Sequence, residues 1–313
     1  MSARGMAIMG WRWLSGAVLA FALAAPVMAA ETAQRNFATA DAAVTAMVEA
    51  IRKADRKAFL AIIGPGSGSW IFSGDAVADK AGFAKFLAAY DQKHTLVAGD
   101  GRTILNVGND DWPFPVPLVK AGDRWRFDAA AGKTEILARR IGRNELDTIQ
   151  TLKAIVDAQR EYVLLDRDRD GLLEYAQKFM SSSGKHDGLY WPTKAGEPPS
   201  PLGPLVANAH AEGYSGDAPK AGVPRPYHGY FYRMLKAQGK DAPGGGYDYL
   251  AKGSMIGGFA VIATPVNYGT SGVMTFLVSH DGVVYQKNLG PDTAQVAARI
   301  TRFNPDAGWA RIP

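Results

Sequence analysis

Four carboxylates fall close together in Asp166-Arg-Asp168-Arg-Asp170-Gly171-Leu-Leu-Glu174. Calcium is a hard ion that takes six to eight oxygen ligands, so carboxylates at alternate positions of a turn, with glycine where the chain bends sharply, converge on one ion. Positions one, three, five, six and nine of a calcium loop are met; position twelve is Gln177, where a complete loop carries a bidentate glutamate. Asp166, Asp168, Asp170 and Glu174 are therefore candidate ligands for a structural calcium ion that pins a helix end to the loop after it. The same residues also read as a solvated polar turn in which Arg167 and Arg169 pair with the aspartates.

A second cluster, Ser182-Ser-Gly-Lys185-His186-Asp187, fits the Ser-x-x-Lys spacing of a serine nucleophile beside a lysine base, but the companion Ser-Asp-Asn and Lys-Thr-Gly elements are absent. The hydrolase reading would rest on Ser182, Lys185 and His186 alone. Gly132-Lys133-Thr134 resembles the end of a phosphate-binding loop, yet Phe127 stands where the first glycine is needed. None of the five histidines, at 94, 186, 210, 228 and 280, has metal-site spacing. Tyr227, Tyr230, Phe231, Tyr232, Tyr247 and Tyr249 form an aromatic-rich stretch that either lines a recognition groove or alternates into a core. No complete catalytic constellation is present, so no catalytic residue is assigned.

These residues must be carried by helices and antiparallel strands. Val44, Met47, Val48 and Ile51 follow a Thr39 cap at helical spacing, and a shorter helix over Arg56 to Ile63 is closed by Gly64-Pro-Gly66. A third covers Lys80 to Tyr90. Strand-like runs follow at His94 to Ala98, Thr103 to Val107, Val116 to Lys120 and Arg124 to Asp128, separated by Gly/Asp turns. Gly132 to Leu165 reads as helix with Gly142 as its weak point; unbroken it would be about 50 Å long, so a domain boundary is expected there. A loop rich in Ser, Gly and Pro leads to a short helix over Leu202 to Ala211. Strands are expected at Gly229 to Leu235, Met255 to Ala263, Val273 to Ser279 and Val283 to Asn288, with His280-Asp281-Gly282 as a hairpin turn and an extended piece near Trp309. The fold class is α+β in two domains, each of helices packed on an antiparallel sheet.

Arg4 and Arg12, the apolar run Trp13 to Ala25, and Pro26 before Val27-Met-Ala29 have the layout of a cleavable signal peptide. The organisation expected is a signal peptide over 1–29, a first domain over 30–141 and a second over 142–313, with the protein in the periplasm and no transmembrane anchor after cleavage, because the apolar run falls short of the ~20 residues that span a bilayer. The chain has no cysteine, which excludes disulfides, thiolate chemistry and a lipidated-cysteine anchor. Its net charge of +5 is spread among acids, without the basic face of a nucleic-acid binder.

Three segments carry a family resemblance: Asp110-Asp-Trp-Pro-Phe-Pro115, Asp166 to Tyr175, and Gly229-Tyr-Phe-Tyr-Arg-Met-Leu-Lys-Ala-Gln-Gly239 with Gly253 to Asn288. Through them the chain resembles the exported bacterial proteins grouped as domain of unknown function 2950, which implies periplasmic residence and no assigned activity. The front half is similar in element order to NTF2-like or cystatin-like domains. The back half looks like the soluble head of a pseudopilin, through the helix ending Gln159-Arg-Glu-Tyr162, the acidic loop and the terminal meander. Pilins place a long apolar helix directly before that head, and a polar-faced helix and another domain stand here instead, so the resemblance does not imply polymerisation. Fold likeness does not carry function.

Together these readings point to an exported, non-catalytic binding or envelope-assembly factor whose partner is an envelope protein or a small ligand. In the small-ligand reading, a front-half cone lined by Phe83, Phe86, Trp112 and Trp125 is the carrier site.

Overall fold

Thr39 stays extended and its hydroxyl accepts the Ala42 amide at 3.1 Å, which satisfies one of the donors a helix start leaves open. The computed structural model, which describes residues 33–167, 169–194, 196–214 and 225–313, continues from this cap as α1 (Ala40–Arg52), with Val44, Met47 and Val48 buried as their spacing requires. Helix α2 (Arg56–Ile63) ends at Gly64, whose φ of 135° suits glycine. One helical turn, α3 (Gly68–Ile71), precedes α4 (Ala76–Gln92), which starts earlier than its apolar spacing suggests because Asp75 supplies the cap.

Strands β1 (His94–Gly99), β2 (Arg102–Val107), β3 (Trp112–Pro113), β4 (Leu118–Ala121) and β5 (Arg124–Phe127) make an antiparallel sheet in the order β1-β2-β4-β5, with β3 also on β2. Asp100 and Gly101 close the β1–β2 hairpin with φ of 48° and 74°, the mirror-image turn whose twist matches that of the paired strands.

The chain then enters α5 (Ala129–Tyr162), a 34-residue helix that runs through Gly142 without interruption. Gly142, the weak point of the run, does not interrupt it. One glycine costs a helix about 1 kcal/mol, and packing on both sides outweighs it. Ile136 and Leu137 pack on the hydrophobic cluster built from α1, α2 and the first sheet, whereas Leu152, Ile155 and Val156 belong to a second cluster with the C-terminal strands. Two cores thus share one helix within the compact unit Ala33–Pro313.

After α6 (Gly203–Ala211) come β6 (Tyr230–Leu235), the short pairs β7 (Ala237–Gln238) with β8 (Tyr247–Asp248) and β9 (Leu250–Ala251) with β10 (Ser254–Met255), then β11 (Ala260–Pro265), β12 (Met274–Ser279), β13 (Val284–Asn288), α7 (Thr293–Arg299) and β14 (Ala310–Arg311). The second sheet is antiparallel in the order β14-β13-β12-β11-β6. Helix α5 packs against β12 and α7 against β11; both strands are almost wholly buried. The strand expected from Met255 is split at Gly257-Gly258. A Cβ on Gly257 would lie 3.2 Å from the Tyr249 backbone, and one on Gly258 would lie 2.5 Å from the His280 ring, so this stretch is a close crossing and not a ladder. In the β12–β13 turn only Gly282 has positive φ, and its amide donates to the Ser279 carbonyl at 2.9 Å. The molecule is α+β, with seven helices and antiparallel sheets among the described residues.

Two glycines of α5 should respond oppositely to alanine. Gly142 has open space where a Cβ would stand, so Gly142→Ala should stabilise by about 0.5–1 kcal/mol. At Gly132 a Cβ would meet both Val116 methyls at 2.7 Å, and Gly132→Ala should destabilise by about 1–2 kcal/mol. Urea denaturation of the two variants checks both signs.

Candidate functional site

Helix α4 places no residue fully inside either core. Phe83 meets Phe59 edge-on at 5.5 Å and Phe86 packs on Phe114 at 5.1 Å, which ties one side of the helix to the first cluster. On the other side faces α5, with Ile136, Arg140, Arg143, Asn144 and Asp147 on one stripe. A cleft of about 560 Å³ opens between the two helices, its floor formed by Ile51, Phe59 and Ile63 and its walls by Phe83, Phe86 and Trp112. A further cavity of about 730 Å³ lies across α4, where the Arg56 guanidinium sits 3.8 Å over the Phe72 ring. Phe83 is part of both walls.

One end of the cleft is polar and organised by Asp75, which is 2% exposed. One carboxylate oxygen accepts the Val77 and Ala78 amides at 3.1 Å each, capping α4; the other accepts the Tyr214 hydroxyl at 2.8 Å and the Gly229 amide at 3.3 Å. Burial, and then the bond to Asp75, push the Tyr214 hydroxyl well above the ordinary tyrosine range. Asp79 is pushed up by burial against the pull of the Ser73 hydroxyl and amide and of Arg140. The Arg140 guanidinium, lowered by burial, donates to the carbonyls of Trp70 and Ile71.

His228 stands beside this network in the left-handed region, at φ of 50°. Its Nδ1 lies 3.6 Å from Asp147 and its Nε2 3.3 Å from Glu212, and the Tyr227 ring lies 4.0 Å from the imidazole. Burial and the charges of Glu212 and Asp147 push the Tyr227 hydroxyl up to about 12. Gly229 must be glycine, because a Cβ there would lie 2.5 Å from Asn144 Nδ2. The arrangement presents fixed hydrogen-bonding groups and an ordered charge pattern at the end of an apolar trough. That is the layout of a site that orients a ligand.

The residues singled out from sequence fall in several places. Phe83, Phe86 and Trp112 line the cleft, but Trp125 does not: it pairs by backbone with Phe37 at the sheet edge and carries Lys120 on its ring. In the acidic loop, Asp166 accepts the Arg169 and Gly171 amides at 2.6 and 3.0 Å, Asp170 the Leu172 amide at 2.8 Å, and Glu174 the Met255 amide at 3.0 Å. Asp168 lies outside the described residues. Arg167 packs over the rings of Tyr162 and Trp191. No three His, Asp or Glu side chains among the described residues are grouped to hold a metal ion.

Ser182 Oγ donates to Asp187 at 3.0 Å and accepts from Lys178 at 2.8 Å. Burial raises the Asp187 carboxyl, but the bonds from Lys178 and Ser182 prevail and hold it at about 2. His186 stacks on Trp191 at 4.2 Å, and Lys185 meets Ser182 only through its amide, which donates to the Ser182 carbonyl. Tyr230 and Tyr249 are fully buried, so the core reading of the aromatic stretch holds for them. Asp75, Tyr214 and His228 carry no site motif in the sequence; the one local signal is Asp75 directly before α4, where it marks a cap.

Fold and cleft define an α+β protein with two cores on a shared helix and an open trough beside it. Residues 34–312 match the family model described as "Protein of unknown function (DUF2950)", and the chain belongs to that family. No curated protein and no solved structure matches it. No helix among the described residues is long and apolar enough to cross a membrane.

Asp75→Ala removes a cap and leaves the Tyr214 hydroxyl without its acceptor, and should destabilise by about 3 kcal/mol. Tyr214→Phe should cost about 1.5 kcal/mol. Because the two share a bond, the double variant should lose less than the sum, which a double-mutant cycle by chemical denaturation measures.

Proposed function

We propose that this protein is a non-catalytic carrier or binding factor that holds a small, largely apolar ligand in the cleft between α4 and α5. The observation that carries this reading is the trough itself: about 560 Å³, within the ~300–1,000 Å³ range of small-molecule sites, with an apolar floor and polar and charged groups around it. Periplasmic residence belongs to the same proposal and is supported by Arg4, Arg12, the apolar run Trp13 to Ala25 and Val27-Met-Ala29. A carrier needs a site that is open to solvent yet holds its shape without ligand, and the Asp75 network supports that role.

The test is titration with N-phenyl-1-naphthylamine, a neutral apolar fluorophore. Saturable enhancement is expected, with quenching of Trp112, and a stabilisation approaching about 2.7 kcal/mol at a hundredfold excess over Kd. Gly82 lines the cleft and has nothing within 4 Å of a Cβ position, so Gly82→Trp fills the trough without pressing on the fold and should abolish binding. Equal binding by both proteins, or none by the wild type, would sink the proposal.

A structural calcium ion in the 166–174 loop is a second, independent proposal. It is supported by the alternate carboxylates and by the left-handed Arg169 and Gly171, at φ of 65° and 89°, which turn the loop about Asp166. Calorimetric titration of Ca²⁺ into chelator-treated protein should give heat that Asp170→Ala removes; no heat from the wild type rejects it.

A further inference from the structure

The charges that line the α4–α5 cleft are not equivalent. Each of the four acids on its described wall is already engaged. Asp75 holds the start of α4, the Tyr214 hydroxyl and the Gly229 amide. Asp79 accepts the Ser73 amide and hydroxyl at 3.0 and 2.8 Å. Asp147 and Glu212 flank the two ring nitrogens of His228. Arg140 is engaged as well, on two carbonyls.

Two cations are left. Lys85 on α4 and Arg143 on α5 both line the cleft, and both are exposed to solvent. Neither makes an ion pair or a side-chain hydrogen bond among the described residues. Arg143 also stands close enough to Arg140 for its charge to disfavour the buried guanidinium, after the larger effects of burial and Asp79. An anion at this position would meet uncommitted donors and relieve a like-charge contact. A cation would have to take a carboxylate away from an existing partner.

Resting on the reading of the cleft as a ligand site, we propose that its ligand is an amphiphile with a single anionic headgroup, a carboxylate or phosphate monoester, held at the mouth by Arg143 and Lys85 with its apolar tail over Phe59, Ile63 and Phe83. Burying an ionised group without partners is costly, so the headgroup belongs at the wet rim and the tail on the dry floor. Arginine presents a planar fork of donors that matches a carboxylate or phosphate edge, and lysine adds a mobile point charge.

The experiment is displacement of N-phenyl-1-naphthylamine by four ligands of one chain length: dodecanoate, dodecyl phosphate, dodecanol and dodecylammonium, each below its micellar concentration. The anions should bind about tenfold or more tighter than the alcohol, as charge-assisted bonds predict, and should weaken with added salt while the alcohol does not. Arg143→Gln combined with Lys85→Gln alters only exposed side chains and should bring the anions to the level of the alcohol, whose own affinity is unchanged. A preference between the two anions supports the proposal and names the headgroup. Equal binding of anions and alcohol, tightest binding of the ammonium, or an anion preference that survives the double variant overturns the headgroup assignment and leaves the cleft as a binding site. No displacement by any of the four, with no effect of Gly82→Trp on the fluorophore, overturns both.

Discussion

A buried carboxylate with four donors holds the candidate site together. Placing an ion out of water is expensive unless hydrogen bonds replace its hydration, and Asp75 obtains them from three separated parts of the chain: the first turn of α4, Tyr214 after α6, and Gly229 at the entry to β6. Each donor is a group that would otherwise need another partner. The carboxylate therefore fixes where α4 begins, and with it one end of the trough. Nearby contacts reinforce the same joint, as Asn267 Nδ2 donates to the Ser73 carbonyl and Asn144 Nδ2 to the Ser271 carbonyl, at 3.0 and 2.8 Å.

Helix α5 supplies the second constraint. Its first half belongs to the core of the five-stranded N-terminal sheet and its second half to that of the C-terminal sheet. Glu145 near its middle accepts the Val273 and Met274 amides at 2.9 Å each, which fixes the rotation of the helix relative to β12. The stripe from Ile136 to Asp147 is thereby held toward α4. Polar anchoring in mid-helix and apolar packing at both ends hold the wall of the trough in place.

Much of the fold was legible because its signals are local. The Thr39 cap, the glycine after Ile63 and the Asp-Gly turn after β1 each act within a few residues, and the elements they bound lie where those residues put them. Gly142 leaves α5 unbroken because a helix supported by two cores tolerates what a free helix would not. Gly257-Gly258 misled because a close crossing of chains leaves the same small residues as an apolar strand. For the site, the aromatic spacing on α4 announced Phe83 and Phe86, but Trp125 turns to the sheet edge, where its partner Phe37 is remote in sequence. Asp75 meets Tyr214 and Gly229 across 139 and 154 residues, and no periodicity encodes such a meeting.

Helix α4 is tied at both ends by polar contacts and between them by the rings of Phe83 and Phe86 on one side. Asp75 secures its start, while the Gly108 amide, shared between the Ala89 and Lys93 carbonyls, and the Arg52–Asp91 ion pair secure its close. Phe83, near the middle, is a partition between two hollows. A bowing of the helix that widens one narrows the other, so the two volumes are exchanged and not created. Whatever fills one side sets the room available on the far side of the same ring.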